Sequence, residues 1–150
     1  MKFTDCDKKI EQSDIKEFNM STNINIPLAL EQHYLICNGG TPDNTYFFYE
    51  KEGISYQIAD FIPLKTDNEE VWNLKKTYSH YVNKGLPQDL LPFANDWGSN
   101  KFCIHLENHA IYIVYMDLGE ISEDNGSIRK ISNSFQEFID NLQESDDEEE

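Results

Sequence analysis

From Tyr46 to Ile131 the chain returns repeatedly to short runs of aromatic and β-branched residues parted by brief polar stretches. Tyr46–Tyr49 and Ile54–Phe61 flank the polar sequence EKEG, which is a hairpin signal. Leu91–Ala94 and Lys101–Leu106 follow, then Ile111–Met116 beyond the turn ENHA, and Ser127–Ile131 after an acidic loop. In the second of these pairs Phe102, Ile104 and Leu106 fall on one face, with Cys103 and His105 on the other. A parallel neighbour would need a crossover of a dozen or more residues, so hairpin-length connections predict a mainly antiparallel sheet.

Helical signals sit before, within and after these runs. Ser13 or Asp14 caps a short first helix carrying Ile15 and Phe18. Pro27 suits the first turn of a second helix, in which Leu30, Tyr34 and Cys37 share a face. Gly39-Gly40 is expected to stop that helix in a left-handed C-cap. Thr66 or Asp67, followed by Glu69 and Glu70, predicts a central helix with an apolar stripe of Val71, Leu74, Tyr78 and Tyr81 or Val82. Ser132 or Ser134 caps a last helix through Phe135, Phe138, Ile139 and Leu142. The resulting order, α-α-β-β-α-β-β-β-β-α, predicts a single α+β domain over residues 1–143, a twisted antiparallel sheet flanked by helices. Residues 144–150 are expected to form a disordered acidic tail, too polar to bury anything.

Charge narrows the choice of partner. Twelve basic residues against twenty-eight acidic ones give −16 at pH 7. Six of those acids are in the tail ESDDEEE, so the rest of the chain is acidic as well. Such a surface repels a phosphate backbone, and anionic membranes for the same reason. It favours a cationic protein partner through complementary fields, although an acidic surface also serves solubility alone. No run approaches the ~20 apolar residues that span a bilayer. The N-terminal sequence MKFTDCDKKIEQSD has no apolar signal core. Cys6, Cys37 and Cys103 are odd in number and widely spaced. They read as reduced thiols of a cytoplasmic protein, with Cys37 and Cys103 buried.

The stretch LPFANDWGSNKFCIHL holds an inventory that catalysis can use. Asp60, Asp96 and Asp117 stand at strand ends, where carboxylates do acid–base work but more often close turns through their side chains. A hydrolase using Asp96 with His105 is one reading; a turn with Trp97 covering an end of the core is the favoured one. His105 and His109 have zinc-like spacing, yet the surrounding pattern is strand–turn–strand, where that spacing shares no helical face. Cys103 reads as a buried structural thiol, since nothing beside it except Lys101 would activate it. No catalytic group, metal or cofactor is expected.

Several of these stretches together resemble the SUKH superfamily, the Smi/Knr family of fungal cell-wall regulators and bacterial immunity proteins. The matching residues are Ile26-Pro27 and Asn38-Gly39-Gly40 around the second helix, then Leu91, Pro92, Ala94, Asp96, Gly98 and Asn100. Ser134-Phe135, Phe138 and Ile139 complete the pattern in the last helix, so the resemblance runs over about residues 13–142 in order. Trp97 and Ser99 stand in a turn usually built from glycines, and His33 stands where the family often carries an aromatic residue.

The resemblance implies a non-catalytic protein of the cytoplasm, an antitoxin that binds a cognate toxin domain; the acidic charge makes a cationic nuclease the expected target. The alternative it carries is a signalling or scaffold module of the cell-wall-regulator type. For an antitoxin, candidate partner-binding carboxylates are Glu50 and Glu52 in the hairpin, Asp67, Glu69 and Glu70 before the central helix, and Asp117, Glu120, Glu123 and Asp124 in the late loop. Tyr46, Tyr49 and Tyr56 are candidate aromatic anchors. Monomer and dimer are both open.

Overall fold

The computed structural model describes residues 2–144. The chain begins with strand β1 (Phe3–Cys6), helices α1 (Gln12–Thr22) and α2 (Leu28–Ile36), and strand β2 (Gly39–Pro42). A hairpin of β3 (Tyr46–Tyr49) and β4 (Ile54–Phe61) follows, then helix α3 (Leu74–Val82). Strands β5 (Leu90–Asp96), β6 (Lys101–His105), β7 (Ile111–Val114) and β8 (Ile128–Ser132) come next. Helix α4 (Phe135–Asp140) and the two-residue strand β9 (Leu142–Gln143) end the described fold.

The sheet runs β1-β2-β4-β5-β6-β7-β8, with β3 paired to both β4 and β9. Every pairing is antiparallel. The expected α+β architecture therefore holds, and the strands read from aromatic runs fall where the sequence placed them. A bulge in β4 sets the two-residue step from Ile58 to Asp60 against the single step from Asp96 to Asn95 in β5. It allows Ile58 and Phe61, three residues apart, both to face the core, and turns Asp60 outward.

Both faces of the central strands are covered. Leu91, Phe93, Phe102, Ile104 and Ile113 join Ile15, Leu30, Tyr34 and Phe138 in the main core. On the other face Leu90, Cys103 and Val114 pack with Leu86, Tyr81 and Val82, at and beyond the end of α3. The alternation read along β6 is thus correct, but its second face is buried too: Phe102, Cys103 and Ile104 are all fully enclosed.

Five expectations need correction. Helix α1 is capped by Glu11 rather than Ser13 or Asp14, with Asp14 Oδ2 accepting from the Glu11 N–H at 2.7 Å. Strands β1, β2 and β9 were not foreseen. Helix α3 starts at Leu74 rather than near Thr66, because side chains ahead of it satisfy their own backbone. Thr66 Oγ1 accepts from the Asn68 N–H at 3.1 Å and Asn68 Oδ1 from the Glu70 N–H at 2.9 Å, local bonds that compete with a helix. Asn73 then caps α3, its Oδ1 accepting from the Lys76 N–H at 2.8 Å. Val71, read into the helical stripe, lies outside α3 and is exposed.

Gly39 and Gly40 do not cap α2, whose C-cap is an extended Cys37. They have φ of +87° and +85° and begin β2. A Cβ on Gly40 would lie 2.6 Å from Cys37 Sγ and 2.8 Å from the Thr4 carbonyl oxygen, so the glycine permits the close approach of β1. The reading of three free thiols also fails. Cys6 and Cys37 form a disulfide with Cα atoms 5.3 Å apart, pinning β1 to the end of α2, and only Cys103 is free. The tail assigned to residues 144–150 lies, beyond Glu144, outside the described residues.

Candidate interaction surface at one end of the sheet

Strand registers bring distant polar loops to one end. Ile58 lies opposite Asp96, Lys101 opposite Val114, and Val114 opposite Ile128. The β3–β4 tip, the β5–β6 turn and the β7–β8 loop therefore leave the sheet in the same direction. The hairpin tip carries Glu50 and Glu52, and the β7–β8 loop carries Asp117, Glu120, Glu123 and Asp124, all six exposed. Six of the carboxylates named from sequence therefore lie at this end.

The turn between β5 and β6 is built around one carboxylate. Asp96 Oδ1 accepts from the N–H groups of Gly98 and Asn100, both at 2.8 Å, and Oδ2 accepts from Asn100 Nδ2 at 3.0 Å. Asn100 Oδ1 in turn accepts from the Met116 N–H at 2.9 Å, tying the turn to the start of the β7–β8 loop. The reading of this stretch as architecture stands. His105 is at the far end of β6, roughly 13 Å away at the rise of an extended strand. Its Nε2 faces Asp89 at 3.2 Å and its Nδ1 accepts from the Glu107 N–H at 3.2 Å. Asp96 and His105 do not meet.

The other candidates divide. Glu52 is paired with Arg129, bracing the hairpin against β8. Tyr56 is in the core at 6% exposure, its hydroxyl 3.2 Å from that of Tyr115, and burial pushes its phenol well above the ordinary range. It has no surface to offer a partner. Tyr46 and Tyr49 are half-buried on β3. Asp67 is ion-paired with Lys8 at 2.8 Å, a hydrogen bond that holds its carboxyl below the usual range. Glu69 is exposed, and Glu70 lines a groove.

That groove, about 510 Å³, opens between the C-terminal parts of β4 and β5, the segment before α3 and the β5–β6 turn. Its walls are Trp72 and Trp97, 38% and 74% exposed. Trp97 therefore does not cover the core, contrary to expectation, because the Asp96-centred turn carries it outward. Three carboxylates, Asp60, Glu70 and Asp96, line the groove beside one ammonium, Lys101. Burial lowers the pKa of Lys101, and its Nζ is directed to the Ser99 carbonyl at 3.2 Å and the Tyr81 ring at 5.1 Å. Beneath it Cys103 is wholly buried and its thiol is pushed far up, the reverse of an activated nucleophile. Trp72 and the groove were missed in the sequence, where the available signal was a tryptophan set among polar residues in EEVWN and NDWGSN.

These features define a class: a single-domain α+β protein whose candidate site is a shaped surface, with its polar strand junctions consumed by turns. A family profile described as the SMI1 / KNR4 family (SUKH-1) matches residues 9–141, and the chain belongs to that family. The family includes immunity proteins and is generally non-catalytic. A crystal structure of a protein from Pseudomonas syringae pv. tomato shares the fold with a TM-score of 0.54 at 13% identity, over 82% of this chain and 78% of that one. No curated protein matches the chain significantly. No helix among the described residues is long and apolar enough to cross a membrane.

Proposed function

We propose that this protein is an antitoxin: it acts in the cytoplasm by binding a cognate toxin domain of a contact-dependent or secreted toxin system and covering its active site. The observation that carries the reading is the acidic charge of −16 on a chain of this family, with carboxylates from separate loops collected at one end of the sheet. A cationic nuclease is the target this charge suits, because carboxylates then stand where substrate phosphates would lie. Long-range attraction raises the association rate, and salt screens it within about 8–10 Å. No chemistry by the antitoxin is required.

Co-expression with toxin domains scored for growth tests the reading. Rescue by a stoichiometric complex that does not form with the other toxin domains is expected. In that complex the association rate should drop at least tenfold between low and high salt. Rescue by none of the toxin domains encoded beside such genes would remove the proposal, and a salt-independent rate would remove its electrostatic mechanism.

A further inference from the structure

The Trp72–Trp97 groove has the chemistry of a receptor for one cationic side chain. Its two indoles are the only tryptophans of the chain, and both are exposed on the same cleft. Exposing indole to water is unfavourable, and tryptophan is among the residues most enriched at binding hot spots. Trp72 already takes an ammonium: Lys76 Nζ sits 4.9 Å from its ring centroid.

Sign is decided by which charges are already used. Among the described residues Lys101 is the cation that lines the groove, and it is buried and turned toward Ser99 and Tyr81, while Lys76 lies over the Trp72 ring from α3. Asp96 spends its oxygens on the β5–β6 turn. Asp60 commits Oδ1 to Asn95 Nδ2 at 2.9 Å, with no hydrogen bond to Oδ2 among the described residues. Glu70 makes no ion pair there. Two carboxylates with unused acceptors thus stand beside the exposed Trp97 ring and beside Trp72, on which Lys76 and His80 already pack. A guanidinium fits that set better than an ammonium, since its plane stacks on indole while its N–H fork reaches carboxylate oxygens.

We infer that the groove is the docking site for an arginine presented by a protruding segment of a partner protein, stacked on Trp97 and Trp72 and hydrogen-bonded to Asp60 and Glu70. This names the surface used in the antitoxin reading and rests on it for the partner's identity. It also separates the roles of the acids: those on the hairpin tip and the β7–β8 loop steer the encounter, and the groove holds the complex.

The probe is a short neutral-flanked peptide with one arginine, titrated into the intact protein at constant ionic strength while the two indole N–H signals are followed by NMR. Both signals should shift saturably. The lysine peptide should bind at least threefold more weakly, and the glutamate peptide should shift neither signal. Trp97→Ala and Asp60→Asn, both at exposed positions, should each weaken arginine binding at least fivefold, whereas Glu107→Gln in the exposed β6–β7 turn should not. Unmoved indole signals, or equal responses to arginine and glutamate peptides, would overturn the inference. With a toxin in hand the two readings separate. Equal protection by wild type and Trp97→Ala removes the groove and leaves the antitoxin, while arginine binding without rescue of any toxin does the reverse.

Discussion

Asp96 and Asn100 close the β5–β6 turn by a double link, the Asp96 carboxylate accepting from both the backbone N–H and the side-chain amide of Asn100. Through Asn100 Oδ1 the link extends to Met116. The turn holds Trp97 outward and leaves Ser99 at a φ of +69°, so its role is to shape the surface. Asp96→Ala should cost about 2–3 kcal/mol by equilibrium unfolding, from the loss of charge-assisted bonds in a half-buried turn. Asp96→Asn should cost about half as much. If both are stability-neutral but abolish protection, the carboxylate acts on the partner directly.

The family's Asn38 behaves as a three-way clamp. Its Nδ2 donates to the Lys8 and Lys65 carbonyls at 2.8 Å each, and its Oδ1 accepts from the Leu64 N–H at 2.7 Å, all at 2% exposure. Asn38→Ala strands those backbone groups and should destabilise by about 3–5 kcal/mol. Asn38→Asp keeps only the acceptor and should be nearly as damaging. A loss under 1 kcal/mol in chemical denaturation would show that water replaces the clamp.

The disulfide gives a redox-dependent stability. It closes a loop with a sequence separation of 31, worth about 3–4 kcal/mol in the chain-entropy account. Cys6 is exposed and open to reductant. Thiol alkylation of the unfolded, unreduced protein should label Cys103 alone, and Cys6→Ser should lower the melting temperature of the oxidised protein. Labelling of all three cysteines in protein taken directly from the cytoplasm would show that the reduced form is the working one there.

His33 couples the fold to pH. Its ring packs against Phe3, Phe61 and Tyr34 at centroid distances of 4.5, 4.9 and 5.8 Å, and burial pushes its pKa down to about 4. The unfolded chain binds this proton near pH 6.5 and the folded chain does not, so stability is full above 6.5 and falls as pH drops toward 4. The loss reaches at most roughly 3.5 kcal/mol at about 1.4 kcal/mol per pKa unit. His33→Phe should flatten that part of the curve, leaving the carboxylate contribution at lower pH. Parallel wild-type and variant curves between pH 4 and 7 would refute the assignment.

What the sequence determined by itself was local. Aromatic alternation and polar turns placed β3 to β8 within a residue or two, Ser134 capped α4, and ordered short motifs marked the family. Those signals arise between residues a few positions apart, where turn chemistry and side-chain period act. The tertiary structure alone decided the rest. FTDC carries no alternation and becomes β1 only because β2, thirty-odd residues on, offers an edge. Cys6 meets Cys37 by the same pairing. The start of α3 was settled by side chains that bond their own backbone in preference to a helix. The convergence of acidic loops at one end follows from strand register, and Trp72 reaches the Trp97 groove because the segment between β4 and α3 folds back, with the Leu74 N–H donating to the Pro63 carbonyl. Register joins residues far apart in the chain, and no short window of sequence contains it.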